Sequence, residues 1–121
     1  MRTRPPEIHR ELRGHAFYPP EQDLAAIPPL YGTDHQPAEN AIVHLRYVAP
    51  WGEWYITELD PDTGEAFGWA ALGDDTTQGE WGYIDLPALE SFASGPDQLV
   101  RRDLHHQPVP ARDCLPHGRS R

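Results

Sequence analysis

The chain has 121 residues and a formal net charge of −9, with ten Arg, no Lys and nineteen acidic residues. Its length sets one domain. Its charge is segregated: residues 20–100 carry fifteen Asp and Glu against Arg46 alone, residues 1–19 carry four Arg and two Glu, and residues 101–121 carry five Arg and two Asp. Such a body repels phosphate backbones and attracts basic surfaces, which argues against direct binding of nucleic acid by its acidic face; the same charge also serves solubility.

Residues 1–19 hold several Pro and no clean apolar period, so a flexible arm is expected there, with a helical turn around Glu7–Arg13. Pro20 to Ile27 reads as a short helix with early acids at its N-terminus, stopped by Pro28-Pro29. Leu30-Tyr31-Gly32-Thr33 then leads into a polar loop. From Ala41 to Val48, Ala41, Val43, Leu45 and Tyr47 alternate with His44 and Arg46, the pattern of a half-buried strand. Pro50-Trp51-Gly52 breaks it, and Trp51 in this turn is the aromatic expected to be exposed.

Trp54 to Asp60 is β-branched and aromatic, a second strand. Asp60-Pro61-Asp62-Thr63-Gly64 is a strong turn, so the third strand, Glu65 to Leu72, pairs antiparallel with the second. Its Ala66, Gly68 and Ala70 form a small-residue face, opposite Phe67, Trp69 and Ala71. An acidic loop with Asp74 and Asp75 precedes a fourth strand at Glu80–Ile84. Asp85 is suited to cap a helix running to Ala93, with Leu86, Leu89 and Phe92 as its apolar face, set against Gly68 and Ala70. Leu99 to Leu104 reads as a fifth, edge-type strand, and Pro108 and Pro110 close the ordered body.

Several stretches resemble one small bacterial family, the domain of unknown function 2958. They are Ile27-Pro28-Pro29-Leu30-Tyr31, Trp54 to Asp60, Phe67-Gly68, Gly82 to Leu86 running into Leu89-Glu90-Ser91, and Arg102-Asp103-Leu104, in order from about residue 24 to 108. The turn before Tyr55 and the segment Ser94–Asp97 look shorter than in the family. The resemblance implies no activity. It implies a setting among mobile-element and plasmid accessory genes, near replication or DNA modification.

Glu58 and Asp60 share a strand face under ideal alternation. A carboxylate pair can do acid–base work, but Asp60 is accounted for by the turn. Glu58, on a face with Trp54 and Ile56, needs a partner, and Arg46 on the neighbouring strand is the basic candidate. No calcium-loop spacing occurs among Asp62, Asp74, Asp75 and Glu80. His105-His106 point to opposite faces and cannot share a metal on a regular strand. Cys114 has no disulfide partner and no zinc pattern. The N-terminus lacks the apolar stretch of a signal peptide, and no run is long enough to span a bilayer. A cytoplasmic, soluble protein is expected, with no cofactor and no metal.

The expected fold is α+β: an antiparallel sheet of four to five strands with a packed helix, a short N-terminal helix and mobile termini. The expected organisation is an arm over 1–19, one domain over 20–108 and a disordered Arg-rich tail over 109–121. The expected role is that of a non-enzymatic acidic accessory protein. Its partner is a protein with a basic, DNA-handling surface, in the sharpest version through DNA mimicry, recognised by Trp51, Asp62, Asp74, Asp75 and Glu80. Two alternatives stay open: a nucleic-acid accessory binder using the Arg-rich ends and an aromatic sheet face, and an enzyme acting through Glu58, with Arg46 beside it as a polar site.

Overall fold

A computed structural model describes residues 5–73, 79–92 and 98–115. The fold is α+β, with an antiparallel sheet and short helices at its margins. In chain order the elements are α1 (Arg10–Arg13), α2 (Glu21–Ala25), a 3-10 turn (Ala38–Asn40), β1 (Ile42–Val43), β2 (Leu45–Ala49), β3 (Gly52–Leu59), β4 (Glu65–Leu72), β5 (Glu80–Asp85), α3 (Leu86–Ser91), β6 (Arg101–Arg102), β7 (Val109–Pro110) and α4 (Ala111–Cys114). Among the described residues the main sheet has five strands in the order β5-β4-β3-β2-β6, and β1 pairs separately with β7. No described helix is long and apolar enough to cross a membrane.

The turn chemistry sets the frame. Gly64 takes φ +82° after Asp60-Pro61-Asp62-Thr63 and its N–H bonds the Asp60 carbonyl at 2.8 Å, closing the β3–β4 hairpin. Asp85 caps α3 by accepting the Ala88 N–H at 3.1 Å. The register of β3 on β4 slips between Ile56 and Glu58, so Thr57 is an extra residue on one strand. Such a bulge resets the alternation of side chains. Trp54, Ile56 and Leu59 therefore share one core, while Glu58 lies opposite Phe67 on the other face.

Both faces of the sheet are covered. One carries Leu45, Tyr47, Trp54, Ile56, Leu59, Ala66 and Ile84, packed with Phe17, Tyr18, Leu24, Ile27, Leu86 and Val100. The other carries Val43, Tyr55, Trp69 and Ala71, packed with Ala111 and Leu115. Residue 20 is thus no packing boundary, because Phe17 and Tyr18 ahead of it are core residues. Nor does packing end at Pro108, because β7 bonds β1 and Ala111 and Leu115 are buried.

The N-terminal segment is held by charge rather than by an apolar stripe. Glu90, 1% exposed, accepts the N–H groups of Ile8 and His9 and an Arg13 guanidinium N–H at 2.7 Å. Glu7 accepts the Phe17 N–H at 2.9 Å and also pairs with Arg13. This corrects the expected inner face of α3. Leu86 and Glu90 are its buried residues, Leu89 is half-buried, and Phe92 lies past the helix end, exposed and tilted against Trp51. Gly68 makes no room for the helix either. A Cβ there would overlap the Tyr55 carbonyl oxygen, so the glycine serves the close approach of β3 at the bulge.

Candidate functional site

The bulge aims Glu58 at the loop that follows Pro28-Pro29. Glu58 is 3% exposed, and its two oxygens accept the Tyr31 N–H at 2.7 Å, the Thr33 N–H at 3.0 Å and the Thr33 hydroxyl. The Leu59 N–H bonds the Pro28 carbonyl and the Gly32 N–H bonds the Pro29 carbonyl, so the loop is tied on both sides. Tyr31 is held at φ +70°, among the described residues the one non-glycine with positive φ. A bulky side chain in that region costs on the order of 1–3 kcal/mol, and such residues cluster at binding sites. The Glu58 bonds supply the constraint that keeps it there.

The effect is to stand the Tyr31 ring on the surface beside the sheet. Tyr31 is 62% exposed and Tyr83, on β5, is 55% exposed. Their rings meet edge to face at 6.3 Å, and the Tyr83 hydroxyl donates to the Tyr31 hydroxyl at 3.0 Å. That bond pushes the Tyr83 hydroxyl up to about 12. Phe67 on β4 packs edge to face against Tyr83 at 5.4 Å and stacks on Trp81 at 6.1 Å. Tyr31, Phe67, Trp81 and Tyr83 form one continuous aromatic surface, and residues of the Pro28–Tyr31, Phe67-Gly68 and Gly82–Leu86 stretches meet in it.

Carboxylates edge this surface. Asp60, Glu65 and Asp85 line a cleft with Thr63, Tyr83 and Ile84. Glu65 stands opposite Asp85 in the ladder, and Asp62 and Glu80 are exposed. Between Arg46 and Arg101 the sequence contains no Arg, Lys or His. The described residues of this region therefore present aromatic rings and negative charge, with no Arg or Lys among them.

The structure separates other residues that the sequence suggested together. Arg46 does not pair with Glu58. It stands opposite Tyr55, bonding its hydroxyl at 3.2 Å, Asp103 at 2.9 Å and Glu53 at 3.4 Å. Burial raises the Asp103 carboxyl, but the His105 N–H and the Arg46 guanidinium outweigh it, and its pKa lies below the ordinary range. Trp51 is half-buried, packed on Trp54 and Phe92, with its indole N–H on the Gln98 carbonyl. Asp74 and Asp75 lie outside the described residues.

The arginines of β6 are turned inward. Arg101 donates to the Arg13 carbonyl at 2.6 Å and Arg102 to the Ala16 carbonyl at 3.3 Å, so both hold the N-terminal segment. A cavity of about 260 Å³ between α2 and the chain after β6 is lined in part by Asp23, His44, Arg102, Asp103 and His106. No cluster of three metal-ligating side chains occurs among the described residues.

The sequence suggested an aromatic sheet face but not that Tyr31 joins it, because unbroken alternation puts Glu58 on the Trp54 face and away from the Tyr31 loop. The available signal was Gly68, opposite Ile56 where the register slips. No curated protein and no solved structure matches the chain. The chain belongs to the family described as "Protein of unknown function (DUF2958)", which it matches over residues 26–111.

Proposed function

We propose that this domain is a non-catalytic binding module that docks a protein with a basic, DNA-handling surface, and that the contact is made by the aromatic surface of Tyr31, Phe67, Trp81 and Tyr83 within its rim of carboxylates. The observation that carries this reading is the pair of exposed tyrosines, one of them in a strained backbone conformation, on a face whose described residues include carboxylates but no Arg or Lys. Interfaces concentrate their energy in aromatic anchors, while rim charges steer the partner and set the association rate. Asp62, Glu65, Glu80 and Asp85 are placed to steer, and the rings to anchor. The implied setting among mobile-element accessory genes fits a partner that handles DNA.

The rival readings draw less support. Arg101 and Arg102 spend donors on the chain's own carbonyls, which weakens a phosphate-binding role for that end. Glu58 is buried beneath the Tyr31–Thr33 loop with both oxygens engaged, a poor position for a general base that must reach a substrate.

A photo-crosslinking phenylalanine derivative at position 83, in cells that express the protein, tests the reading. Crosslinks to a protein of basic isoelectric point are expected, weakened by the Tyr31→Ala variant. Crosslinks to nucleic acid, or protein crosslinks that do not depend on Tyr31, overturn it.

A further inference from the structure

We propose that β5 is an open docking edge onto which an extended, basic segment of the partner adds as a further strand. This rests on the binding reading above and specifies its geometry.

The polarity of the edge follows from the ladder. The Asp60 N–H bonds the Glu65 carbonyl, so Glu65 and its alternates on β4 face β3. The Leu86 N–H bonds the Gly64 carbonyl, so Gly64 and its alternates face β5. Hydrogen-bonded and non-bonded pairs alternate in an antiparallel ladder. With Ala66 opposite Ile84 and Gly68 opposite Gly82, the groups of Ile84, Gly82 and Glu80 bond inward. Those of Trp81, Tyr83 and Asp85 point away from the sheet. Among the described residues β5 has no neighbour on that side. Open strand edges of this kind are templates for pairing, and proteins that do not use them cover or distort them.

The side-chain environment is suited to an alternating peptide. On one side of the edge stand Trp81 and Tyr83, with Tyr31 beyond them. On the other is a cleft of about 440 Å³ lined by Ala70, Leu72, Glu80, Gly82 and Ile84 together with the two aromatics. A Cβ on Gly82 would meet nothing within 4 Å, so side chains of an added strand have room there. Strand addition draws affinity from main-chain bonds and specificity from such alternating sites.

Charge selects the occupant. Glu80 and Asp85 mark the two ends of the strand, with Glu65 opposite Asp85. A second copy of the chain carries the same excess of negative charge, −9 in all, so two copies meeting at this edge repel. Arg or Lys side chains at the ends of an extended segment are attracted instead, and an Arg can also lie on an aromatic face.

The probe is a capped heptapeptide of alternating arginine and valine, with two controls: the same peptide N-methylated at alternate residues, and its glutamate–valine counterpart. The readout is hydrogen exchange at the amides of Trp81, Tyr83 and Asp85. The arginine peptide should slow these three at least ten-fold on saturation, in a salt-sensitive manner, while N-methylation or glutamate abolishes the protection. Absence of protection by the arginine peptide overturns the proposal. So does equal binding of the N-methylated peptide, or protection of β5 by self-association in the free protein, as read by sedimentation. If position 83 crosslinks to a basic protein while these amides still exchange freely in that complex, the edge proposal fails and the binding function stands; if neither occurs, both fail.

Discussion

Replacing Glu90 by Ala tests whether charge, rather than an apolar stripe, fastens residues 5–19 to the sheet. Glu90 accepts two main-chain N–H groups and one guanidinium N–H at 2.7–3.0 Å while 1% exposed. Removing one partner of a buried ion pair costs about 3–5 kcal/mol, because the other charge stays buried. Arg13 retains Glu7 at 3.2 Å and the Val100 carbonyl at 3.2 Å, so the lower end, about 3 kcal/mol, is expected. That is a large share of the roughly 5–15 kcal/mol that holds a domain together. Urea unfolding reads the loss, and hydrogen exchange locates it: the Ile8, His9, Phe17 and Tyr18 amides should exchange faster while β3 and β4 keep their order of protection. The pH dependence has a definite sign. Burial raises the Glu90 carboxyl, the N–H groups of Ile8 and His9 and the Arg13 guanidinium lower it further, and its net pKa is depressed. Its stabilisation is therefore full above the unfolded value, about 4.3, and lost as pH falls through the lower folded value. A Glu90→Ala loss below about 1 kcal/mol, with unchanged exchange at Ile8 and His9, refutes the reasoning.

Tyr18→Phe should leave stability unchanged or raise it by up to about 1 kcal/mol, because the Tyr18 hydroxyl is buried without a hydrogen-bond partner among the described residues; a loss above about 1 kcal/mol in the same urea assay contradicts this. Burial and the neighbouring His106 depress the His44 pKa, so stability should decline as pH falls below the unfolded histidine value of about 6.5, until the folded value is reached. His44→Gln should flatten that slope in thermal melts taken across the range, and an unchanged slope rules His44 out as its source. Glu58→Gln should cost on the order of 2 kcal/mol, since one oxygen cannot accept from Tyr31 and Thr33 together; amide shifts confined to residues 30–34 and the bulge are expected, and a silent loop would contradict the role given to Glu58.

Local chemistry was readable and long-range chemistry was not. The β4 strand, the Asp60–Gly64 turn and the Asp85 cap depend on a few adjacent residues, and the structure has each of them. The bulge at Thr57 left no mark in its own strand, and one extra residue was enough to move Glu58 from the Trp54 face to the Phe67 face. Likewise, the grip of Glu90 on Arg13 spans 77 positions, and neither residue lies in an apolar period that would announce burial. Phe17, Tyr18, Ala111 and Leu115 were hidden for the same reason: they pack from irregular chain or from a single helical turn, too short for periodicity to carry information. The open rings of Tyr31 and Tyr83 were legible only as aromatic residues, because exposure depends on what lies above them.

Tyr31→Gly separates the two demands made on the loop. At φ +70° the tyrosine is strained, and glycine relaxes that strain while keeping the N–H that Glu58 accepts. The ring is largely exposed, so its removal forfeits little burial. Glycine also widens the freedom of the unfolded chain, which offsets part of the gain. The net change in stability should therefore stay within about 1 kcal/mol. If the strain is maintained for stability's sake, the variant should be clearly weaker in urea. If it is maintained to present the ring, the variant should unfold at nearly the same urea concentration and lose crosslinking from position 83 to its protein partner. The two results are exclusive. Because Glu58, the Thr57 bulge and the Pro28-Pro29 loop all converge on the placement of this one side chain, we expect the second. A stable variant with undiminished crosslinking would remove Tyr31 from the contact and, with it, the proposed aromatic binding surface.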